Sequence, residues 1–253
     1  MLPGKEFNAV DNILSFELKG IPVRFHLPDH ETDFVQRTIR NNGHFWELRA
    51  LECAAKYVPQ GGVVIDAGGY IGNHAIYFAN VCHASKVYSF EPQHRVAAIL
   101  ERNIELNKAN QIVVFRHCAL GAKMGAVRVH SRLAGTAAAT AFEYSTDGNV
   151  ECVTIDSLNL AQVDFIKIDV EGMEADVLIG ARRTIKAFNP PIWVEVVDNA
   201  SLERLRGLLS DFGYKLHLWL SEFDALFLPI ANKSAWPCQL VSRRFVFHRP
   251  SGS

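Results

Sequence analysis

Val63-Val64-Ile65-Asp66-Ala67-Gly68-Gly69-Tyr70-Ile71-Gly72, continued by Asn73-His74-Ala75-Ile76-Tyr77-Phe78-Ala79, decides how the rest of the chain is read. The β-branched residues predict a short buried strand, the glycines a tight turn, and the apolar residues at 71, 75, 76 and 79 a helix. Gly68, Gly69 and Gly72 permit unusual dihedrals and close approach of a ligand, and the helix start offers free amides to an anionic group. The spacing is Asp-x-Gly-x-x-x-Gly rather than the Gly-x-Gly-x-x-Gly of dinucleotide binders, and an acid in the turn repels a pyrophosphate. A ligand carrying an ammonium as well as a carboxylate, as S-adenosylmethionine does, suits this turn better. A tight strand-to-helix turn with no ligand is the plain alternative.

With 253 residues the chain suits one large α/β domain, expected over 59–253, with an N-terminal extension over 1–58. A hydrophobic share of 49%, a charged share of 21% and a net charge of −1 argue against a nucleic-acid surface, so the expected partner is a small or neutral molecule. No apolar run approaches the roughly 18 residues of a membrane span, and the first residues lack the apolar core of a signal peptide, so a cytoplasmic location is expected. Cys53, Cys82, Cys118, Cys152 and Cys238 are odd in number and form no Cys-x-x-Cys pair, and they read as reduced core residues.

Residues 13–27 alternate around Lys19-Gly20 and predict a hairpin, residues 29–42 a helix, and residues 48–58 a second helix stopped by Pro59. Glu47, just before that helix, is either a first-turn acid or a ligand contact. The next strand, 86–90, ends in Glu91-Pro92, where a carboxylate can accept both hydroxyls of a ribose, and Pro92 is expected to start a helix. A third strand at 112–115 runs into His117-Cys118-Ala119-Leu120-Gly121, whose small residues leave room for an adenine ring. Strands at 126–130 and 150–155 flank a segment, 135–148, that reads as an inserted hairpin or lid.

The strand 164–169 and the turn after it gather Lys167, Asp169, Glu171 and Glu174 at a strand's carboxyl end, where open α/β sheets place their chemistry. A strand at 191–197 carries Glu195 and leads into Asp198-Asn199. A helix from about Ser201, taken as its N-cap, ends at Gly213, and strands at 214–220 and 243–248 are expected to pair as an antiparallel edge hairpin.

Asp66-x-Gly-x-x-x-Gly72, Ser89-Phe90-Glu91-Pro92, Ala119-Leu120-Gly121 and above all Ile166-Lys167-Ile168-Asp169-Val170-Glu171-Gly172-Met173-Glu174 together resemble the FkbM family of S-adenosylmethionine-dependent methyltransferases, over residues 43–198. The resemblance implies an α/β fold with a Rossmann-like sheet of seven strands, the seventh antiparallel. It implies that Asp66, Gly68 and Gly72 hold the methionine part of the cofactor, Glu91 the ribose and the Cys118-Ala119 backbone the adenine, with Asp169 beside the sulfonium. Glu47, Gly69, Asn73, His74 and Pro92 complete the expected cofactor set. The family usually has Ala-Asn where this chain has Gly69-Tyr70. Its members typically methylate hydroxyls of sugars or polyketide-like products, which implies O-methyl transfer to a small-molecule or glycan acceptor.

Methyl transfer is an in-line displacement, so the acceptor oxygen must sit about 3 Å from the methyl group and lose its proton. Asp169 is the expected base within a catalytic cluster that also holds Glu171, Glu195 and Lys167, and His74 and His217 are alternatives. A divalent ion on Asp169, Glu195 and Asp198 is a second, less favoured possibility. A cofactor-binding module without activity and a nicotinamide-dependent oxidoreductase are the competing readings, and the missing Gly-x-Gly-x-x-Gly argues against the latter.

Overall fold

The computed structural model describes residues 5–131 and 140–232. At its start β1 (Glu6–Asn8), β2 (Ile13–Leu18) and β3 (Ile21–His26) form an antiparallel sheet in that order. Lys19 and Gly20 both take positive φ, as a two-residue hairpin turn requires, and the alternation buries Leu14, Phe16, Val23 and Phe25. Next, α1 (Phe34–Asn42) is capped by Asp33, whose side chain accepts from the Gln36 amide, and stops at Gly43 in the left-handed region. The following helix, α2 (Leu48–Ala54), is shorter than expected and passes into a 3-10 turn ending at Tyr57. Val58 is already extended because it precedes Pro59.

The second part alternates strand and helix: β4 (Val63–Ala67), α3 (Asn73–Ile76, continued by a π turn to Val81), β5 (Lys86–Phe90), α4 (His94–Leu106) and β6 (Val113–Arg116). A small sheet follows, built from β7 (Ala119–Leu120), β8 (Gly125–Ser131), β9 (Thr140–Tyr144) and β10 (Val150–Val153) in the order β7-β10-β8-β9. The chain then returns to the main sheet with β11 (Phe165–Ile168), α5 (Glu174–Gly180), α6 (Arg182–Phe188), β12 (Ile192–Glu195), α7 (Asn199–Asp211), β13 (Tyr214–Trp219) and β14 (Asp224–Pro229). The main sheet has seven strands in the order β13-β14-β12-β11-β4-β5-β6, and β14 runs antiparallel to both its neighbours. This is the expected Rossmann-like sheet. Its order reverses between β4 and β11, which opens a crevice at their carboxyl ends.

Several boundaries differ from expectation. The strand that pairs with β13 is β14, which lies between the two strands expected to form the edge hairpin; all six of its residues are buried, so it shows no alternation, and Pro229 sits at its end. The strand expected at 243–248 and residues 135–139 of the expected lid lie outside the described residues. Asp198, not Ser201, caps α7, and Ser201 returns the contact as the third residue of a capping box. The helix after Pro92 starts at His94. Leu14, Phe25 and Phe45 of the extension share one core with Val64, Phe78 and Trp193.

Candidate active site

A cavity of about 350 Å³ opens at the carboxyl ends of β4, β5, β11 and β12, and the N-terminal extension closes it with Phe34, Val35, Trp46 and Glu47. Phe34 is exposed and packs edge-on against Trp46, with ring centroids 5.6 Å apart.

The glycine turn forms one wall. The Gly68 and Gly69 amides both donate to the Phe90 carbonyl, and Gly68 and Gly72 take φ of 83° and 86°. Glu91, buried at the end of β5, accepts from the Tyr70 amide at 2.9 Å and from the Gln93 amide at 2.8 Å, one bond on each carboxylate oxygen. Each oxygen keeps a free lone pair. Burial, against the pull of these amides, pushes the carboxyl up to about 7. Beyond it Phe90, Pro92, Cys118, Ala119, Leu120 and Met173 give an apolar slot. Tyr70 stands at φ 47°, in the left-handed region that Asn tolerates better. Burial and the charge of Asp33 hold its hydroxyl above the ordinary phenol range.

Of the residues expected to hold the cofactor, Glu47, Gly68, Asn73, His74, Glu91, Pro92, Cys118, Ala119 and Asp169 line the cavity, whereas Asp66, Gly69 and Gly72 do not. Asp66 is fully buried, accepts from the Ser89 hydroxyl at 2.9 Å and faces Lys167, its register partner on β11. The Lys167 ammonium donates to the Gly68 carbonyl at 2.9 Å and lies 3.2 Å from Asp169 and 3.6 Å from Asp66. Burial alone would lower its pKa; Asp169 and Asp66 outweigh that and hold it above its ordinary value. Asn73 uses its side-chain amide as a clamp, accepting from the Trp46 amide at 2.9 Å and donating to the Trp46 carbonyl at 3.2 Å.

The opposite wall carries carboxyls: Asp169, Glu171, Glu195, Asp224 and Glu47. Among the other candidates, Glu174 turns away to accept from the Gly172 amide, and His217 contacts the Tyr57 hydroxyl outside the cavity. Asp198 is occupied in capping α7, so the trio Asp169, Glu195 and Asp198 is not brought together, and among the described residues no three ligand-type side chains are placed to hold a metal ion. Asp224, Trp46, Phe34 and Phe223 were not singled out from the sequence. Asp224 accepts from the Trp193 indole at 2.6 Å and from the Ser221 hydroxyl. A buried indole needs such a partner, but no spacing rule says which acid supplies it.

The profile of the methyltransferase FkbM domain matches residues 66–216, well over half of the chain. The chain belongs to the methyltransferase FkbM domain family. Methyltransferase 1 of Beauveria bassiana (strain ARSEF 2860) is 27% identical in an alignment covering 48% of this FkbM chain and 59% of that protein, so the chain spans about three-fifths of that relative's length. Among solved structures it is similar to a methyltransferase FkbM from Methylobacillus flagellatus KT, at 15% identity and a TM-score of 0.48 over 76% of this chain and 59% of that one. It is also similar to M. jannaschii TYW2 in complex with AdoMet, at 16% identity and a TM-score of 0.45 over 85% and 86% of the two chains. Likenesses this distant bear on neither activity nor acceptor. Among the described residues of this FkbM chain, no helix is long and apolar enough to cross a membrane.

Charge in this FkbM cavity is unevenly balanced. Burial, then the charges of Asp169 and Glu171, push Glu195 up to about 10, and burial, then Glu47, push Asp224 up to about 7. Burial, then Lys167, lowers His74 to about 4, so its imidazole is neutral and its 3.3 Å approach to Glu47 is not an ion pair at neutral pH. For acids with a folded-state pKa above the unfolded one, the native state keeps protons that the unfolded chain has shed, so stability falls as pH rises between the two values. The ligand-free protein is therefore expected to lose melting temperature steadily from about pH 5 to about pH 10, and Glu195→Gln to flatten the fall. Differential scanning calorimetry of both proteins checks this; a melting temperature that climbs over the range, or an identical slope in the variant, contradicts it.

Proposed function

We propose that this chain is an S-adenosylmethionine-dependent O-methyltransferase acting on a hydroxyl of a sugar, glycan or related natural product. The observation that carries the cofactor assignment is Glu91, a buried carboxylate fixed by two backbone amides beside the glycine turn with a lone pair left on each oxygen for a ribose diol. The cavity suits the group: its volume lies within the roughly 300 to 1,000 Å³ of ligand pockets, and the apolar slot after β6 has the character an adenine needs. When bound, the cofactor supplies an electrophilic methyl group on a positively charged sulfur.

In this reading Glu91 holds the ribose, the Cys118-Ala119 backbone the adenine, and the Gly68 turn the methionine end, with Asp169 offsetting the positive charge. Asp66 and Lys167 act from beneath, fixing the Gly68 carbonyl and the Asp169 carboxylate. An uncharged polyol acceptor is favoured because the carboxyl wall repels anions, while the neutral acids and His74 can exchange hydrogen bonds with hydroxyls and Trp46, Phe34 and Phe223 cover its apolar faces. We place the catalytic domain at 59–253, the extension at 1–58 as its closing wall, and the protein in the cytoplasm, where the free cysteines suit a reducing environment.

Labelled methyl transfer onto a panel of sugars and nucleotide sugars tests the acceptor class: the uncharged sugars are expected to be methylated and the anionic nucleotide sugars not, and the reverse result removes the polyol assignment. For the cofactor, Glu91→Ala is expected to weaken S-adenosylmethionine at least about tenfold in calorimetry, since each hydrogen bond to a charged acceptor is worth roughly 1.5 to 3 kcal/mol. Unchanged affinity in that variant removes the ribose assignment.

A further inference from the structure

Glu47 stands where the cavity meets a second, open one of about 450 Å³ lined by Thr38, His44, Arg49 and Ser221, and it lines both. Its backbone is in the left-handed region at φ 54°, a conformation that costs a non-glycine residue roughly 1 to 3 kcal/mol and that clusters at functional sites. Two further cavity residues, Tyr70 and Glu171, share that conformation. The Asn73 clamp on both backbone groups of Trp46 holds the segment in place.

Around the Glu47 carboxyl lie His74 from α3, its buried Nε2 3.3 Å away and without a hydrogen-bond partner among the described residues, the Asp224 carboxyl from β14, Lys167 from β11 and Asp169 from the turn after it. Asp169 has a competing partner: its Oδ2 is 3.2 Å from the buried Lys167 ammonium. That charge-assisted contact already engages the Asp169 carboxylate. Among the described residues no lysine or arginine nitrogen lies within 4.0 Å of the Glu47 carboxyl, whose side chain is 23% exposed, and the second cavity gives an acceptor a path to it.

We infer that Glu47 takes the acceptor's proton during methyl transfer, with His74 and Asp224 as positioning residues. The assignment rests on the methyl-transfer reading above. As the acceptor oxygen bonds the methyl carbon, the sulfur–methyl bond breaks, its electron pair stays on sulfur, and the hydroxyl proton passes to Glu47. Asp169 remains the counter-charge of the cofactor side.

The test compares wild type, Glu47→Gln and Asp169→Asn in labelled methyl transfer onto mono- and disaccharides, together with calorimetry of S-adenosylhomocysteine. Glu47→Gln is expected to lose at least about 100-fold in turnover. It is also expected to bind S-adenosylhomocysteine as wild type does and to lose the rise of rate with pH. Turnover near wild type in Glu47→Gln overturns the assignment, and so does weakened S-adenosylhomocysteine binding that accounts for the loss, since Glu47 would then be a cofactor contact. If wild type methylates no sugar, the acceptor class fails and a second measurement decides Glu47: carbon-13 titration of side-chain carboxyls in the S-adenosylhomocysteine complex. Asp224, held up by burial and by the Glu47 charge, should titrate lower in Glu47→Gln. An Asp224 midpoint that does not move shows that the two groups are not paired and overturns the assignment whatever the acceptor is.

Discussion

Lys167→Met is expected to destabilise the protein by about 3 to 5 kcal/mol, because removing one partner of a buried ion cluster leaves the other charges uncompensated. Lys167 is 1% exposed and Asp66 not at all, so water cannot enter to solvate what remains. Methionine keeps most of the side chain's bulk, so cavity formation contributes little and the loss reports charge. At roughly 2 to 4 °C per kcal/mol for a chain of this size, the melting temperature should drop by about 10 °C. Adding Asp66→Asn to Lys167→Met should recover much of the loss, since the two positions are register partners and their effects are coupled rather than additive. Chemical denaturation of the wild type, both single variants and the double variant closes the cycle. A loss below about 1 kcal/mol in Lys167→Met, or no recovery in the double variant, would mean that Asp66 and Asp169 find other compensation. S-adenosylhomocysteine binding in the same variants reads the functional side, because the Gly68 carbonyl and the Asp169 carboxylate both lose the group that fixes them.

The sheet was legible because its parallel strands, buried on both faces, write themselves as short apolar runs, each followed by a glycine turn or an acid. Val63–Ala67, Lys86–Phe90 and Phe165–Ile168 all follow that rule. The same rule hides β14: Ala225-Leu226-Phe227-Leu228 is apolar, yet no turn acid follows it and Pro229 closes the run. Losing β14 also lost Asp224. The glycine turn and the place of Glu91 at the end of β5 are legible because glycines or an acid directly after a short apolar run mark a strand's carboxyl end. Asp66 shows where that reasoning stops, since an acid in the turn motif can serve the ligand directly or serve a lysine on the next strand, and only the pairing of β4 with β11 separates the two. Likewise Asn73 reads as a cofactor contact from its place after Gly72, whereas its side chain bonds Trp46, far away in sequence. Contacts between the extension and the core domain leave no periodic trace in either.

Gly68→Ala should abolish the cavity and, with it, most of the fold's stability. Two separate terms act at this residue, and another glycine isolates one of them. Gly20 and Gly68 have nearly the same positive φ, 80° and 83°, so alanine costs each about 1 to 2 kcal/mol for that conformation. A Cβ on Gly20 meets nothing within 4 Å, whereas one on Gly68 falls 1.7 Å from the Asp169 carbonyl oxygen. That atom is backbone at the end of β11, and it cannot swing aside as a side-chain tip would. Relief requires β4 and β11 to part where their ladder ends, at the Asp169 amide's bond to the Ala67 carbonyl, and it displaces the Gly68 carbonyl from Lys167. Gly20→Ala should therefore melt within a few degrees of wild type, since about 1 kcal/mol moves a chain of this size by roughly 2 to 4 °C. Gly68→Ala should be insoluble, or melt at least about 15 °C lower and fail to bind S-adenosylmethionine. Thermal melts of the two variants side by side give the answer. Equal shifts would show that conformation alone matters at Gly68, and that the two turns at the bottom of the cavity are not held in the contact on which the cofactor assignment depends.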